Sequence, residues 1–163
     1  MTFSTADLYD EHSEIVRVMD PVFRAFGRKL AFSGPAQTVL ALEDNSKVRE
    51  QLQTDGGGRV LVVDGGASLR CALVGDRLAQ LAIENGWAGI LVSGAIRDAA
   101  IIDGMQIGVR ALATNPRKSV KRGSGVVGEA VAVAGVRVGP GDWIYADADG
   151  VLVSPRAIVS AAS

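Results

Sequence analysis

Two segments of the chain carry residues that could act together on a small anion. Gly75-Asp76-Arg77-Leu78 stands at the start of a predicted helix, and Arg97-Asp98 follows a predicted strand. The first backbone N–H groups of a helix lack partners within the helix and suit a carboxylate or a phosphate. The Arg97 guanidinium could grip an anion through its bidentate fork, and the Asp98 carboxylate could anchor a hard divalent cation. This combination favours carbon–carbon bond cleavage through an enolate.

The elements predicted around these segments would bring them together. Residues 60–63 and 90–92 are continuous apolar runs, typical of strands that are covered on both faces. Between them, residues 76–85 have apolar side chains at helical spacing, and Gly86 supplies a stop. This order predicts an α/β fold in which Arg97-Asp98 lies just beyond the carboxyl end of a strand, where open sheets commonly bind ligands.

Each segment also has an ordinary explanation. A helix that starts near Asp76 needs no ligand, since Gly75 or Asp76 could simply lie near its cap. Arg97-Asp98, taken alone, fits a solvated or salt-bridged loop equally well. The predicted strand order favours the functional interpretation.

The remaining elements complete an α/β pattern with a β-rich final third. Ser4 is positioned to cap a first helix, with Asp7 three residues on, and an apolar patch of Val22, Phe23 and Phe26 is expected to cover one side of a sheet. Asn45 is expected to cap a helix that runs through Leu52. Further strands are predicted at residues 37–42, 107–113, 126–133, 136–138, 143–145 and 151–153.

Composition limits the class of protein. The 163 residues, 48% of them hydrophobic and 21% charged, predict one globular domain over residues 1–163. The net charge of -1 gives no general reason to expect a nucleic acid or a membrane as partner. No targeting or membrane-spanning segment is evident, so we expect a cytoplasmic protein. Cys71 is the only cysteine, which excludes an intrachain disulfide and predicts a small core residue.

Other candidate motifs have simpler explanations. The basic segment 116–122 lacks interleaved aromatic residues for base stacking, so a solvated loop is favoured over a nucleic-acid site. His12 is the only histidine, and a surface position on the first helix is favoured over a catalytic triad. Glycines 56–58 and 65–66 are interpreted as turns. The acidic residues Glu43, Asp44, Asp147 and Asp149 could join a metal shell, but the last two are typical of a hairpin turn.

The sequence resembles the RraA family over nearly its whole length. That family is named for a regulator of ribonuclease E activity and is related to the class II 4-hydroxy-4-methyl-2-oxoglutarate aldolases. Asp76, twenty further residues and then Arg97-Asp98 resemble the Asp-x20-Arg-Asp pattern of its catalytic members. The other segments that carry the resemblance are residues 5–8, 26–27, 34–35, 43–45, 60–66, 75–76, 94–98, 115–119 and 140–145.

The resemblance implies a fold, an assembly and a chemistry. It implies a swivelling β/β/α domain in a trimer ring, with active sites at the subunit interfaces and Mg²⁺ or Mn²⁺ as cofactor. By position, Asp98 matches the metal ligand and Arg97 the substrate-binding arginine. Residues 75–78 match the helix start that holds the substrate carboxylate, and Asp76 matches a residue that positions a water on the metal. The implied substrates are small 2-oxo acids, cleaved through a pyruvate enolate.

One residue departs from the pattern of the aldolases. They usually carry an acid three positions beyond the match to Asp98, where this chain has Ile101, with Asp103 two positions later. Aldol cleavage must remove a hydroxyl proton, whereas decarboxylation starts from an ionised carboxylate, so the departure should hurt aldol cleavage more. Two other hypotheses are a regulator that binds ribonuclease E and a demethylmenaquinone methyltransferase. For the methyltransferase we expect no binding of S-adenosylmethionine, because no glycine-rich cofactor loop is evident.

Overall fold

A computed structural model describes residues 2–158, so the outermost residues of the predicted domain 1–163 lie outside the described part. The helices are α1 Thr5–His12, α2 Ser46–Leu52, α3 Asp76–Glu84 and α4 Ala99–Asp103. The strands are β1 Arg17–Val18, β2 Arg24–Phe26, β3 Phe32–Leu40, β4 Val60–Asp64, β5 Ala72–Val74, β6 Gly89–Ile96, β7 Val109–Thr114, β8 Val126–Val127, β9 Val131–Val133, β10 Val136–Val138, β11 Trp143–Ala146 and β12 Val151–Ser154.

Ten of these strands form one mixed sheet. Its main path runs β1-β12-β11-β3-β4-β6-β7-β2, with β5 paired to β6 and β8 paired to β3. The central strands β3, β4, β6 and β7 are parallel, whereas the outer strands β1, β11, β12 and β2 join antiparallel. Helices α2 and α3 connect successive parallel strands, as parallel pairing requires. The predicted α/β class is therefore confirmed.

Apolar side chains of the central strands pack on both faces of the sheet. Leu61 and Val63 of β4 face a core cluster that includes residues of α2, α3 and α4. Val60 and Val62 of the same strand face a second cluster, which includes the β9–β10 hairpin and β11 and β12. This alternation explains the continuous apolar run, because neighbouring side chains of a strand point to opposite faces.

The predicted elements around the site are confirmed, with small changes of boundary. Strand β6 is longer than residues 90–92 and is buried throughout, and α3 closely matches the predicted helix 76–85. The Ser4 hydroxyl accepts a hydrogen bond from the Asp7 N–H at 3.3 Å and caps α1, as expected. Cys71 is buried, also as expected, and burial raises the pKa of its thiol.

Four details of the sequence-based prediction were wrong. The strand expected at 37–42 is β3, which begins earlier and ends at Leu40. The strand expected at 126–133 is two strands, separated at Gly128, whose φ of +84° suits a turn. Phe26 lies on the edge strand β2, within the sheet instead of covering it. The Asn45 side chain does not cap α2, because it is used elsewhere.

Among residues 2–158, the structure contains no helix that is long and apolar enough to cross a membrane.

Candidate functional site

The N-terminus of α3 meets the carboxylate of Asp98. No side chain caps this helix in the usual way; instead the Asp76 backbone N–H donates to Asp98 Oδ2 at 3.1 Å. The next two backbone N–H groups, of Arg77 and Leu78, have no acceptor within the described residues, as expected for a first helical turn. Asp98 therefore occupies one N–H group of the helix end and leaves its neighbours available to an anion.

The backbone around Asp98 is adapted to this close contact. Asp98 adopts φ +59° and ψ +37° between β6 and α4, a left-handed conformation that residues other than glycine adopt infrequently. A Cβ atom on Gly75 would lie 2.8 Å from Asp98 Oδ2 and 3.5 Å from Arg97 Cγ. Glycine at position 75 is thus required by the approach of the Asp98 side chain.

Arg97 lies beside this carboxylate, and its guanidinium has no ion-pair partner among residues 2–158. Its backbone N–H donates to Val74 O at 2.9 Å, which fixes the chain to β5. Its side chain is exposed and makes only a long contact, 3.5 Å, from Nη1 to Pro116 O. Within the described residues Arg97 forms no ion pair. The guanidinium is therefore available for an anionic ligand.

One cleft of about 860 Å³ contains all the site residues that the sequence predicts. Its volume is within the range of small-molecule sites, roughly 300–1,000 Å³. The predicted residues that line it are Gly75, Asp76, Arg77, Leu78, Arg97 and Asp98. Residues 22 positions apart in the chain therefore meet in one cleft.

The cleft also contains residues that the sequence-based prediction did not include. Asn45 and Ser119 are buried in its wall, where the Ser119 hydroxyl donates to Asn45 Oδ1 at 2.7 Å and Asn45 Nδ2 donates to Leu73 O at 3.0 Å. Arg49, Lys118 and Lys121 add positive charge. The basic segment 116–122 was the one feature of the sequence that could have indicated Lys118 and Lys121, but only tertiary contacts bring this segment to the cleft.

The acidic groups of the cleft fit a hard divalent cation. Asp98 Oδ2 receives the Asp76 N–H, and Asp98 Oδ1 has no hydrogen-bond partner within the described residues. Those residues contain no cluster of three His, Cys, Asp or Glu side chains that could hold a metal ion. Mg²⁺ and similar cations keep several waters and bind through one or two carboxylates, whereas zinc sites need three or four protein ligands. Asp98, with Asp76 beside it, fits the first kind of site.

Asp103 does not replace the acid that is missing at position 101. The Asp103 carboxylate accepts a hydrogen bond from the Gly27 backbone N–H at 3.0 Å, and it does not line the cleft. Ile101 is exposed on α4. The departure from the aldolase pattern is therefore not compensated by the nearest acidic residue of the same helix.

The sequence analysis found no glycine-rich cofactor loop, but it overlooked one glycine spacing that is typical of dinucleotide sites. Gly123, Gly125 and Gly128 match Gly-x-Gly-x-x-Gly. In a dinucleotide site this motif follows a strand and opens a helix. Here it surrounds the short strand β8 and is followed by the β9–β10 hairpin, so the context of a dinucleotide site is missing.

Comparison with known proteins identifies close relatives. The chain is 57% identical to a protein of Burkholderia mallei (strain SAVP1) named "Putative 4-hydroxy-4-methyl-2-oxoglutarate aldolase", over 98% of this chain and 99% of that protein. A crystal structure from Geobacillus kaustophilus HTA426, described as an S-adenosylmethionine: 2-dimethylmenaquinone methyltransferase, is 49% identical, with a TM-score of 0.94 and coverage of 96% and 97%. The RNA-processing inhibitor RraA from Thermus thermophilis is 44% identical, with a TM-score of 0.94 and coverage of 100% and 99%.

The fold and the cleft define a class of protein, an α/β protein that brings a helix N-terminus, an arginine and a carboxylate together in one cleft. A profile of the RraA-like family, described as Aldolase/RraA, matches residues 5–153. The chain belongs to the RraA-like family, and the fold expected from the resemblance is confirmed.

Proposed function

We propose that the protein is a metal-dependent lyase that cleaves a carbon–carbon bond of small 2-oxo acids and releases pyruvate. The observation that carries this proposal is the meeting of Asp98 and Arg97 with the free N–H groups of α3 in one cleft. The aldolase name of a relative that is 57% identical supports the same reaction class.

The side chains of the cleft have distinct roles in this proposal. The Arg97 fork and the N–H groups of Arg77 and Leu78 hold the substrate carboxylate next to the keto group. The guanidinium and the positive end of α3 also offset the negative charge that develops on the keto oxygen as the enolate forms. The N–H groups of Arg77 and Leu78 are held in place by the helix, and the Arg97 backbone is held by its hydrogen bond to Val74 O, so these groups need little backbone reorganisation during the reaction.

Asp98 would hold the divalent cation, Mg²⁺ or Mn²⁺, with Asp76 beside it. A cation at this position would supply Lewis-acid stabilisation of the developing oxyanion. Asp98 offers a carboxylate oxygen that has no hydrogen-bond partner among the described residues, and its left-handed backbone persists because the α3 contact holds the side chain in place.

The proposed function includes two reactions. In decarboxylation of oxaloacetate, the bond between C3 and the C4 carboxylate breaks, carbon dioxide leaves, and the resulting enolate takes a proton at C3 to give pyruvate. In aldol cleavage of 4-hydroxy-4-methyl-2-oxoglutarate, the C4 hydroxyl loses its proton and the C3–C4 bond breaks to give one pyruvate and one pyruvate enolate. The enolate then takes a proton at C3 to give the second pyruvate. Only the second reaction needs a base for the hydroxyl proton, and Ile101 supplies none.

The test is pyruvate release from oxaloacetate, with the rate of the metal alone subtracted. We expect turnover with Mg²⁺ or Mn²⁺ and its loss with EDTA. Asp98→Ala and Asp98→Asn should each lower turnover by about 100-fold or more, because the carboxylate that would hold the cation is removed and with it the stabilisation of the developing oxyanion. Asn tolerates the left-handed conformation, so Asp98→Asn keeps the local fold.

The matched control is Asp10→Asn, which removes an exposed carboxylate of α1 far from the cleft in sequence. This variant should retain wild-type turnover. Pyruvate release that survives both EDTA and Asp98→Asn would contradict the proposed site. No turnover above the metal background, with either substrate, would contradict the proposed function.

A second candidate function is regulation of ribonuclease E by direct binding. The observation that favours it is the 44% identity to the RNA-processing inhibitor RraA from Thermus thermophilis. A pull-down with purified ribonuclease E tests it: capture that persists after Arg97→Ala and Asp98→Asn would support a regulatory role independent of the cleft. The absence of S-adenosylmethionine binding stays a prediction, which saturable binding in a titration would contradict.

We also propose the trimer ring that the family resemblance implies, with the cleft completed at a subunit interface. Sedimentation at several protein concentrations measures the assembly. A stable species of three times the chain mass of 16.9 kDa is expected, and a monomer at all concentrations would contradict the proposal.

A further inference from the structure

The basic segment 116–122 forms part of the cleft wall. Lys118 and Lys121 line the cleft together with Arg49. Within the described residues none of the three forms an ion pair or donates a side-chain hydrogen bond. The cleft therefore contains three cations besides Arg97 whose charged groups have no partner in the described part of the chain.

The segment is fastened at its middle to the wall of the cleft. The Ala72 N–H donates to Arg117 O at 2.7 Å, and Ala72 and Lys118 form an isolated parallel bridge. The next residue, Ser119, is buried and joined to Asn45 by the 2.7 Å hydrogen bond already described. These contacts place Lys118 against β5, the strand that leads into the α3 N-terminus.

The far end of the segment is fastened by the buried carboxylate of Asp44. Asp44 Oδ2 accepts hydrogen bonds from the Arg122 N–H at 2.8 Å, the Ser124 N–H at 3.1 Å and the Ser124 hydroxyl at 2.9 Å. Asp44 Oδ1 accepts from the N–H and hydroxyl of Ser46 at 2.9 and 2.5 Å. Lys121 immediately precedes Arg122, whose N–H is bound by Asp44, so the backbone position of Lys121 is fixed.

Burying the Asp44 carboxylate has a desolvation cost, which its hydrogen bonds must offset. Burial alone would raise the pKa of the Asp44 carboxyl, but its hydrogen bonds from Ser46, Arg122 and Ser124 hold that pKa well below its usual range. These hydrogen bonds fix the backbone at Arg122 and Ser124, next to Lys121, and so hold the end of the basic segment beside the cleft.

We propose that Lys118 and Lys121 form a distal anion subsite, which selects 2-oxo acids that carry a second carboxylate. The proposal rests on the proposed function, in which Arg97 and α3 hold the first carboxylate. Asp44 is a positioning residue for this subsite, because it holds the segment and does not itself line the cleft. The cleft of about 860 Å³ has room for such a longer substrate.

The experiment compares the binding of two ligands that differ only in the distal carboxylate. Isothermal titration at low salt and fixed Mg²⁺ measures Kd for 2-oxoglutarate and for 2-oxopentanoate, neither of which has the hydroxyl needed for aldol cleavage. Wild type should bind 2-oxoglutarate about tenfold more tightly, since charge-assisted bonds to one carboxylate are gained. Lys118→Ala and Lys121→Ala should each reduce this preference at least threefold, and the double variant should abolish it.

Arg117→Ala is the matched control. It removes the same charge from the same segment, but Arg117 does not line the cleft. The preference should persist in this variant, which separates a specific subsite from the general electrostatic field of the segment.

The outcomes separate the subsite from the proposed function. Equal affinity of wild type for both ligands, or a preference that Lys118→Ala and Lys121→Ala leave intact, would overturn the subsite whatever the turnover. A preference that depends on both lysines, found in a protein that releases no pyruvate, would support the subsite and contradict the lyase. Failure of wild type to bind either ligand would overturn both proposals.

Discussion

At the scale of single residues, Gly75 sets the distance between the helix end and the Asp98 carboxylate. Gly75→Ala would add a Cβ atom at 2.8 Å from Asp98 Oδ2, closer than such atoms pack, so Asp98 must move away from the Asp76 N–H. We expect turnover of oxaloacetate to fall by about 10- to 100-fold, because small displacements of a catalytic group have effects of this size. Steady-state kinetics with saturating Mg²⁺ measure the change.

The control for this substitution is Gly139→Ala. A Cβ atom there would lie 3.6 Å from Asp142 Oδ2, an ordinary contact, and Gly139 is not in the left-handed region. It should leave both turnover and the thermal midpoint near wild-type values. If Gly75→Ala retained full activity, the contact between Asp98 and the α3 N-terminus would not contribute to catalysis.

At the scale of elements, the segment 116–122 owes its position to Asp44. In Asp44→Ala the N–H groups of Arg122 and Ser124 lose their acceptor, and the free energy of unfolding should fall by about 2–4 kcal/mol, as when a buried charged acceptor is removed. Hydrogen exchange at these two amides should accelerate more than exchange in the central strands. The preference for 2-oxoglutarate should also decrease.

A second variant separates positioning from general loss of stability. Asn85→Ala removes the 2.8 Å hydrogen bond from Asn85 Nδ2 to Leu52 O, between the end of α3 and α2. It should lower stability without changing ligand preference. A similar loss of preference in both variants, measured well below their unfolding temperatures, would show that Asp44 acts only through stability.

The elements also show what the sequence could reveal. The buried strands β4 and β6 were predictable because their apolar runs are continuous, and α3 because its apolar residues recur at helical spacing. Strands β1, β2 and β5 have two or three residues, too few for a period to appear. The anchor of Asp44 was not predictable, because its partners lie 78 and 80 positions away and only the tertiary fold brings them together.

At the scale of the whole molecule, two carboxylates join distant parts of the chain and make its stability depend on pH. Asp44 joins the start of α2 to the segment 116–122, and Asp147 accepts hydrogen bonds from the Thr5 N–H at 2.7 Å and the Thr5 hydroxyl at 2.6 Å, which docks α1 on the β11–β12 turn. For both acids burial would raise the pKa, but the hydrogen bonds prevail and lower the folded-state pKa below its ordinary value of 3.8.

The direction of the pH dependence follows from these lowered pKa values. Near and below pH 3.8 the unfolded chain takes up protons at both positions while the folded chain resists them, so acid favours unfolding. The stabilisation is complete well above pH 3.8 and is lost as the pH falls towards the folded-state pKa values. Each group contributes a slope of up to about 1.4 kcal/mol per pH unit within that window.

Urea unfolding between pH 7 and pH 2.5 measures this dependence. Asp44→Asn and Asp147→Asn should each be less stable than wild type at pH 7, yet lose less stability on acidification, and their effects should add because the two sites share no partner. Asp10→Asn, at an exposed position of α1, should follow the wild-type curve. If the stability of wild type and of both variants changed in parallel with pH, the lowered pKa values of Asp44 and Asp147 would be contradicted. The two carboxylates would then not stabilise the attachment of segment 116–122 and of α1 through their charge.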